Sequence, residues 1–336
     1  MRTRLLITAG ALALALAGLA GSATARAAKP DVRLLATYEP VMQFDPLEQF
    51  RPTKVESFIT DASLEQLTGT GTWSVVQKNA APGDLPVPGS GTWRLNENAC
   101  SPAAAVGGLA CYTANGNQGS GGPTVYGRVA REDGEIVLQY WFFYYDDVYS
   151  YAYPPSDFIW QAHEGDWEHV DIVLSGDEQP LFVGYSQHCS GQRRDWAATP
   201  RLHLDDTHPI VHVALGSHAN YFDPGMHPIN LGCLPPQAAA VLVAILTHNN
   251  LPLPMDHAFD GPIAGPPGSG GEVMPIKQIS DDAPSWVHFP GFWGELQYLH
   301  APAPIGTVAS GASPVGPAFH AEWADPLGTL ATWPTG

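Results

Sequence analysis

The run from Gly134 to Tyr145, GEIVLQYWFFYY, has the clearest hydrophobic pattern in the chain. Ile136, Leu138, Tyr140, Phe142 and Tyr144 alternate with Val137, Gln139, Trp141, Phe143 and Tyr145, and period-two alternation of β-branched and aromatic residues predicts a strand. Apolar residues on both sides make it a central one. It ends at Asp146-Asp147, and a proline-bearing loop from Ser150 to Gln161 leads to His163-Glu164-Gly165-Asp166-Trp167-Glu168-His169-Val170-Asp171-Ile172-Val173-Leu174. From Asp166 this second stretch alternates as well, so Asp166, Glu168, Val170, Ile172 and Leu174 share one side and Trp167, His169, Asp171 and Val173 the other.

Further strands are expected at Pro180–His188, at Pro209–His218 and around the phrase HFPGFWGEL in Val287–Leu296. Val55–Leu67 reads as one short helical or strand piece. Gly69–Gly122 is loop-rich, with Trp73 and Trp93 in two similar Gly-Thr-Trp settings too short to call a repeat. Two prolines precede Gln237–Thr247, QAAAVLVAILT, and predict a short buried helix about half as long as a bilayer crossing requires. Residues 261 to 272, GPIAGPPGSGGE, read as a linker or surface loop.

Composition narrows the fold. Gly and Pro number 35 and 32, while charged residues are only 14% and aromatics 10%, which favours many turns and short aromatic strands over a helical bundle. The expectation is an all-β chain, a single antiparallel β-sandwich of jelly-roll type with long loops and one short buried helix. Its start, MRTR followed by an apolar run from Leu5 to Ala20 and small residues near Ala25 and Ala27, reads as a secretory signal. The expected division is a signal over residues 1–27, cleaved near Ala25 or Ala27, and one domain over 28–336. No later segment is long enough to span a membrane.

Cleavage after Ala27 removes Arg2, Arg4 and Arg26, so the net charge moves from −18 to −21. Such acidity argues against nucleic acid, whose phosphates need a basic footprint, and suits a protein that collects cations. Four cysteines in an exported chain suggest two disulfides. Three pairings are possible, of which Cys100–Cys111 and Cys189–Cys233 are expected. Without a C-x-x-C pair, zinc held by cysteines is disfavoured.

The candidate chemistry lies in His163-x-x-Asp166-x-Glu168. Two carboxylates share a face, and Gly165 lets the backbone turn so that the His163 imidazole swings over them. Oxygen ligands with one imidazole suit a hard divalent cation, so calcium or magnesium is favoured over zinc or manganese. An acidic, solvent-facing strand end is the bland alternative. Asp146 or Asp147, His188 and His218 stand at other predicted strand ends, where they would add ligands, acid/base groups or orienting donors.

Two resemblances rest on these phrases. HEGDWEHVDIVL, Tyr185-Ser186-Gln187-His188, the stretch His208–Tyr221, Phe292-Trp293-Gly294 and the opening Glu48-x-Phe-x-Pro52-x-x-Val55-Glu56-x-Phe58 resemble the Vps62-related family. The central phrase is also similar to the GHRHDWE signature of the necrosis- and ethylene-inducing peptide-like proteins, secreted β-sandwich cytolysins with a divalent cation. That likeness implies cation ligands at His163, Asp166 and Glu168, with an upstream aspartate at Asp146 or Asp147. This chain has Glu164-Gly165 where that signature has Arg-His.

The expected function is therefore a secreted, cation-dependent protein that binds a surface glycan or lipid head group and is possibly membrane-active. Tyr149, Tyr151, Tyr153 and Trp160 would be ligand-contact aromatics in the loop. The alternative is a metal-dependent hydrolase of a small-molecule substrate. In it Glu164 or His188 would act as general base on bound water and His218 would stabilise developing charge. A third possibility is a cation that only stabilises the fold.

Overall fold

A computed structural model of the chain describes residues 31–98, 122–150, 160–197, 202–230, 236–248, 253, 255–295, 298–300, 307–309 and 313–336. The predicted signal, Cys100, Cys111, Cys233, Tyr151 and Tyr153 lie outside these residues. Cys189 is disulfide-bonded.

The described residues are mostly β, in several sheets. In chain order the strands are β1 (Val41–Phe44), β2 (Ala62–Leu67), β3 (Trp73–Gln77), β4 (Trp93–Glu97), β5 (Val125–Glu132), β6 (Glu135–Ser150), β7 (Trp160–Leu174), β8 (Pro180–Gln187), β9 (Ser190–Asp195) and β10 (Leu204–Asp205). Then follow β11 (His208–Val213), β12 (Asn220–Tyr221), β13 (Gly225–Pro228), β14 (Met255–Ala258), β15 (Ile263–Gly265), β16 (Glu272–Val273), β17 (Ile276–Gln278), β18 (Tyr298–His300) and β19 (Thr307–Ala309).

An eight-stranded sheet runs β17-β5-β6-β7-β18-β19, with β8 on β7 and β9 on β8. A six-stranded sheet runs β10-β11-β1-β15-β16 with β12 on β11. β3-β2-β4 and β13-β14 form smaller sheets. Most pairs are antiparallel, but β1–β11, β15–β16 and β17–β5 are parallel, so the arrangement departs from a purely antiparallel sandwich.

The centre of the large sheet is the β6–β7 hairpin, paired from Ile136↔Leu174 to Ser150↔Trp160. Both faces of β6 are buried, as its pattern predicts. On the even face the Tyr140 hydroxyl donates to Leu35 O at 2.8 Å and the Tyr185 hydroxyl to Ile210 O at 2.9 Å, which ties this face to the helical residues 31–38 and to β11. On the odd face Trp141, Phe143 and Trp167 pack edge-on or tilted with Phe58, Trp293 and Trp323, and Trp167 stacks on Trp286. Aromatic rings at these centroid separations add geometric preference to a large buried apolar area.

Several expectations are corrected. Asp146 and Asp147 do not end a strand, because β6 runs on to Ser150. The Pro209–His218 strand stops at Val213, where the chain turns. The described residues of the expected Val287–Leu296 strand, 287–295, form no strand. Ser285–His288 is a 3-10 turn, and Phe292 makes isolated bridges to Arg94 and Val315. Val55–Leu67 is both things, a helix over Val55–Asp61 running straight into β2. Residues 261–272 include β15 and the start of β16, recruited by backbone pairing that a Gly/Pro-rich composition does not reveal. The expected helix forms over Pro236–His248. Among its described side chains, Leu246 is buried while Ala240 and Ala244 are exposed.

Candidate functional site

β6 and β7 position the site by a slip of alternation at one step. Tyr144 pairs with Asp166 and Asp146 with Glu164, but the Tyr145–Gly165 step between them is not paired. Gly165 has φ of +58°, and a methyl there would overlap the carbonyl oxygen of Trp293. Only glycine meets both demands cheaply. Below the slip, Asp166 and Glu168 lie on the even face. Above it, His163 and Asp147 come to that face, with His163 Nε2 3.2 Å from Asp147 Oδ2, while Glu164 and Asp146 turn to the other.

Each predicted ligand has its own protein partner. His163 Nδ1 is 3.0 Å from Gly165 O. Asp166 Oδ2 is 2.9 Å from His218 Nδ1, whose Nε2 stands 3.6 Å from Glu48 Oε2. Ser186 donates to Glu168 and accepts from the His169 N–H at 2.8 Å and the Asn220 amide at 3.2 Å. His188 Nε2 is 2.8 Å from Asp256 Oδ2, and Asp256 also accepts from Ser217 at 2.7 Å and Tyr221 at 2.6 Å. Among the described residues no three His, Cys, Asp or Glu converge on one point as a metal's ligands do.

The turn after β11 carries His218 into place. Gly216, φ +77°, donates to Glu48 Oε2 at 2.6 Å and its carbonyl accepts from the Val148 N–H at 3.1 Å; a side chain there would overlap the Val148 carbonyl. His188 and His218 both have positive φ, +58° and +53°. For residues other than glycine such backbone costs about 1–3 kcal/mol and persists where the surroundings enforce it. Tyr144 stacks flat on His218 at 3.8 Å, which fixes the ring plane.

The electrostatics are those of crowded, dry carboxylates neutralised by protons. Burial would lower His163, but the charge and hydrogen bond of Asp147 raise it to about 9. His188 rises to about 9 against its burial because of Asp256, and His218 to about 10 because of Glu48 and Asp166. Burial and then the Asp166 charge lift Glu168 to about 8. Burial also raises Asp147 despite His163. Glu48 and Asp256 are lowered, since their imidazole partners and donated hydrogen bonds outweigh burial. Asp147 Oδ1, His218 Nε2 and the Tyr144 hydroxyl are buried without a hydrogen-bond partner.

The structure thus brings His163, Asp166, Glu168, Asp147, His188 and His218 to one region, and excludes Asp146 and Glu164. Glu164 Oε2 accepts from the backbone N–H groups of Glu97 at 3.0 Å and Glu295 at 3.2 Å on the opposite face, so it is not placed to act as a base beside His163. The reason is the glycine slip, which strict alternation does not anticipate. Tyr149 is not a loop residue. It lies in β6, 9% exposed, and its hydroxyl donates to Met255 O at 3.1 Å. Trp160 is the first residue of β7.

Glu48, Ser186, Ser217, Tyr221 and Asp256 were not singled out as site residues. Glu48 and Ser186 sit inside phrases that carried the family resemblance, which was their available signal. Asp256 had none, being 68 residues from the His188 it holds.

No family model matches the chain. A Saccharomyces cerevisiae protein described as vacuolar protein sorting-associated protein TDA6 is 26% identical over 185 residues, 48% of this chain and 36% of that protein. The chain therefore spans about a third of that relative's length. Among solved structures, NLPPya in complex with mannosamine is similar with a TM-score of 0.39 and 11% identity over 89% of this chain and 90% of that one. NLPPya in complex with glucosamine gives 0.33 and 14% over 57% and 66%. Necrosis and Ethylene inducing Protein 2 from the causal agent of cocoa's Witches Broom disease gives 0.28 and 16% over 53% and 59%. Both resemblances read from the sequence recur here. Likenesses this distant leave the function to be argued from the site.

Proposed function

We propose that the protein is exported, binds a divalent cation, calcium or magnesium before zinc or manganese, and through it holds a glycan or lipid head group. The observation that carries this reading is the Gly165 slip, which places His163 and Asp147 on the face of Asp166 and Glu168. Carboxylate oxygens with imidazole suit a hard cation. Asp147, His163, Asp166 and Glu168 would hold it, with His218, Glu48 and Ser186 bracing them, once the four side chains draw together from their present spacing, in which no three acid or imidazole groups among the described residues meet at one point. The fit is supported by the buried Asp147 Oδ1, which has no hydrogen-bond partner, and by the protons the imidazoles and Glu168 take up, a compensation that a cation replaces. When bound, the cation supplies a bridge to hydroxyl or phosphate oxygens. Export is supported by the N-terminal run and by the disulfide at Cys189.

The hydrolase reading gains no such support, since Glu164 faces away and His188 is locked to Asp256. The deciding experiment is metal analysis of protein purified without added salts, followed by calcium titration and by binding to amino sugars and to glycosylated lipid vesicles with and without chelator. Binding that survives both chelation and Asp166→Asn would end the proposal.

A further inference from the structure

Two imidazoles and two carboxylates that the cation site does not use gather on the six-stranded sheet. The Ile210 N–H donates to His203 O at 3.0 Å, which continues the β10–β11 pairing and sets His203 diagonal to His212 on one face. The two rings meet edge to face with centroids 6.0 Å apart. Tyr221 of β12 pairs with His212, and two residues further on Asp223 has its Oδ1 4.0 Å from His203 Nε2. Asp260, three residues before β15, places its Oδ1 2.9 Å from His212 Nδ1.

The His212 side chain is only 4% exposed, and its Nε2 is buried without a hydrogen-bond partner. Leaving such an atom unmet costs about 1–3 kcal/mol. Gln43 Oε1, on the β1 residue paired with His212, is in the same condition. Burial holds His212 below the usual imidazole value against the pull of Asp260, so the ring is neutral. With its Nδ1 proton turned to Asp260, Nε2 carries the lone pair. Metal-bound histidines are held this way, one nitrogen on the ion and the other donating to a carboxylate. The Arg194 guanidinium grips both Asp223 oxygens and keeps that carboxylate beside His203. As they stand, no three of these groups meet at one point. His203 and Asp223 are 42% and 48% exposed, so turning them toward His212 disturbs no packed core.

We propose that His203, His212 and Asp223 bind a zinc ion, with Asp260 orienting His212 and a water in the fourth position. Two imidazoles and one carboxylate are donors that zinc takes, whereas calcium and magnesium prefer oxygen throughout. The site shares no residue with the cation site above and does not depend on it. The ion clasps β10, β11 and the chain after β12, which gives a purpose to pinning two strands of only two residues each.

The test is cobalt titration of the full chain, stripped with chelator and then held in calcium to fill the other site. One equivalent of cobalt is expected to give the visible absorption band of a four-coordinate site, and zinc to abolish it while raising the melting temperature. His203→Ala, at a half-exposed position, is expected to lose the band while its metal-free melting curve matches wild type. Asp260→Asn is expected to keep the band at roughly tenfold lower affinity. Asp166→Asn is expected to titrate like wild type. No band in wild type, or an unchanged band in His203→Ala, overturns the proposal. So does a band lost in Asp166→Asn and kept in His203→Ala, which would put the ion among the carboxylates of the β6–β7 hairpin.

Discussion

At position 165 any side chain would meet the Trp293 carbonyl while its backbone held φ at +58°. Gly165→Ala is therefore expected to cost at least about 2 kcal/mol, from left-handed strain plus displacement of the Trp293 backbone, and to abolish cation binding by restoring strict alternation. Thermal melts and calcium titration check both parts. Asp166→Asn keeps the shape and removes one charge. His218 retains Glu48, so the cation-free melting temperature is expected to move little while calcium-induced stabilisation disappears. That outcome also sets aside a cation serving the fold alone, provided ligand binding is lost too.

Proton linkage belongs to the same scale. His163 and His188 at about 9, His218 at about 10 and Glu168 at about 8 all bind protons more tightly folded than unfolded. Raised values of this kind stabilise the fold at low pH, and that stability is lost as pH rises through them. Without cation, stability is thus expected to fall between roughly pH 6 and pH 10. Calcium affinity should rise over the same window, because binding must displace these protons. Urea titrations with chelator and calcium titrations at pH 6, 7.5 and 9 read the two slopes, and a flat affinity profile would contradict the proton-for-cation exchange.

Among elements, the β6–β7 hairpin decides most. Its aromatic alternation makes it central, and its glycine slip divides carboxylates between two faces, Asp147, Asp166 and Glu168 on one and Asp146 and Glu164 on the other. The Phe292–Gly294 segment braces the slip from behind, pairing through the Leu95 N–H to Phe292 O at 2.9 Å and the Trp293 N–H to Pro314 O at 2.8 Å. Trp293 is fully buried against Phe58, Phe143, Trp167 and Phe289. Trp293→Ala is expected to cost about 3–5 kcal/mol and to weaken cation binding although the residue touches no ligand, a coupling visible in chemical melts run beside calcium titrations.

Across the whole molecule, the site joins pieces far apart in the chain: Glu48 before the helix at Val55, the β6–β7 hairpin, Ser186 and His188 on and after β8, His218 after β11, and Asp256 on β14. A ligand that binds only where they meet stabilises the whole fold, by about 2.7 kcal/mol at one hundred times its Kd. Added calcium is therefore expected to raise the melting temperature and chelator to reverse the rise. No helix among the described residues is long and apolar enough to cross a membrane.

The sequence by itself determined what local periodicity controls. The period-two runs in Gly134–Tyr145 and Asp166–Leu174 are strands, Pro180–His188 is one to within a residue, and a helix does start at Pro236, just before Gln237. It also brought out His163, Asp166 and Glu168, because a glycine between an imidazole and two alternating carboxylates is a local feature. Tertiary structure decided what depends on distant backbone. The choice of Asp147 over Asp146 and the turning away of Glu164 follow from a slip enforced by the Trp293 carbonyl, 128 positions along the chain from Gly165. Parallel pairing of β1 with β11, and the convergence of Glu48 and Asp256 on the site, depend likewise on contacts between residues far apart in sequence, which no local pattern encodes.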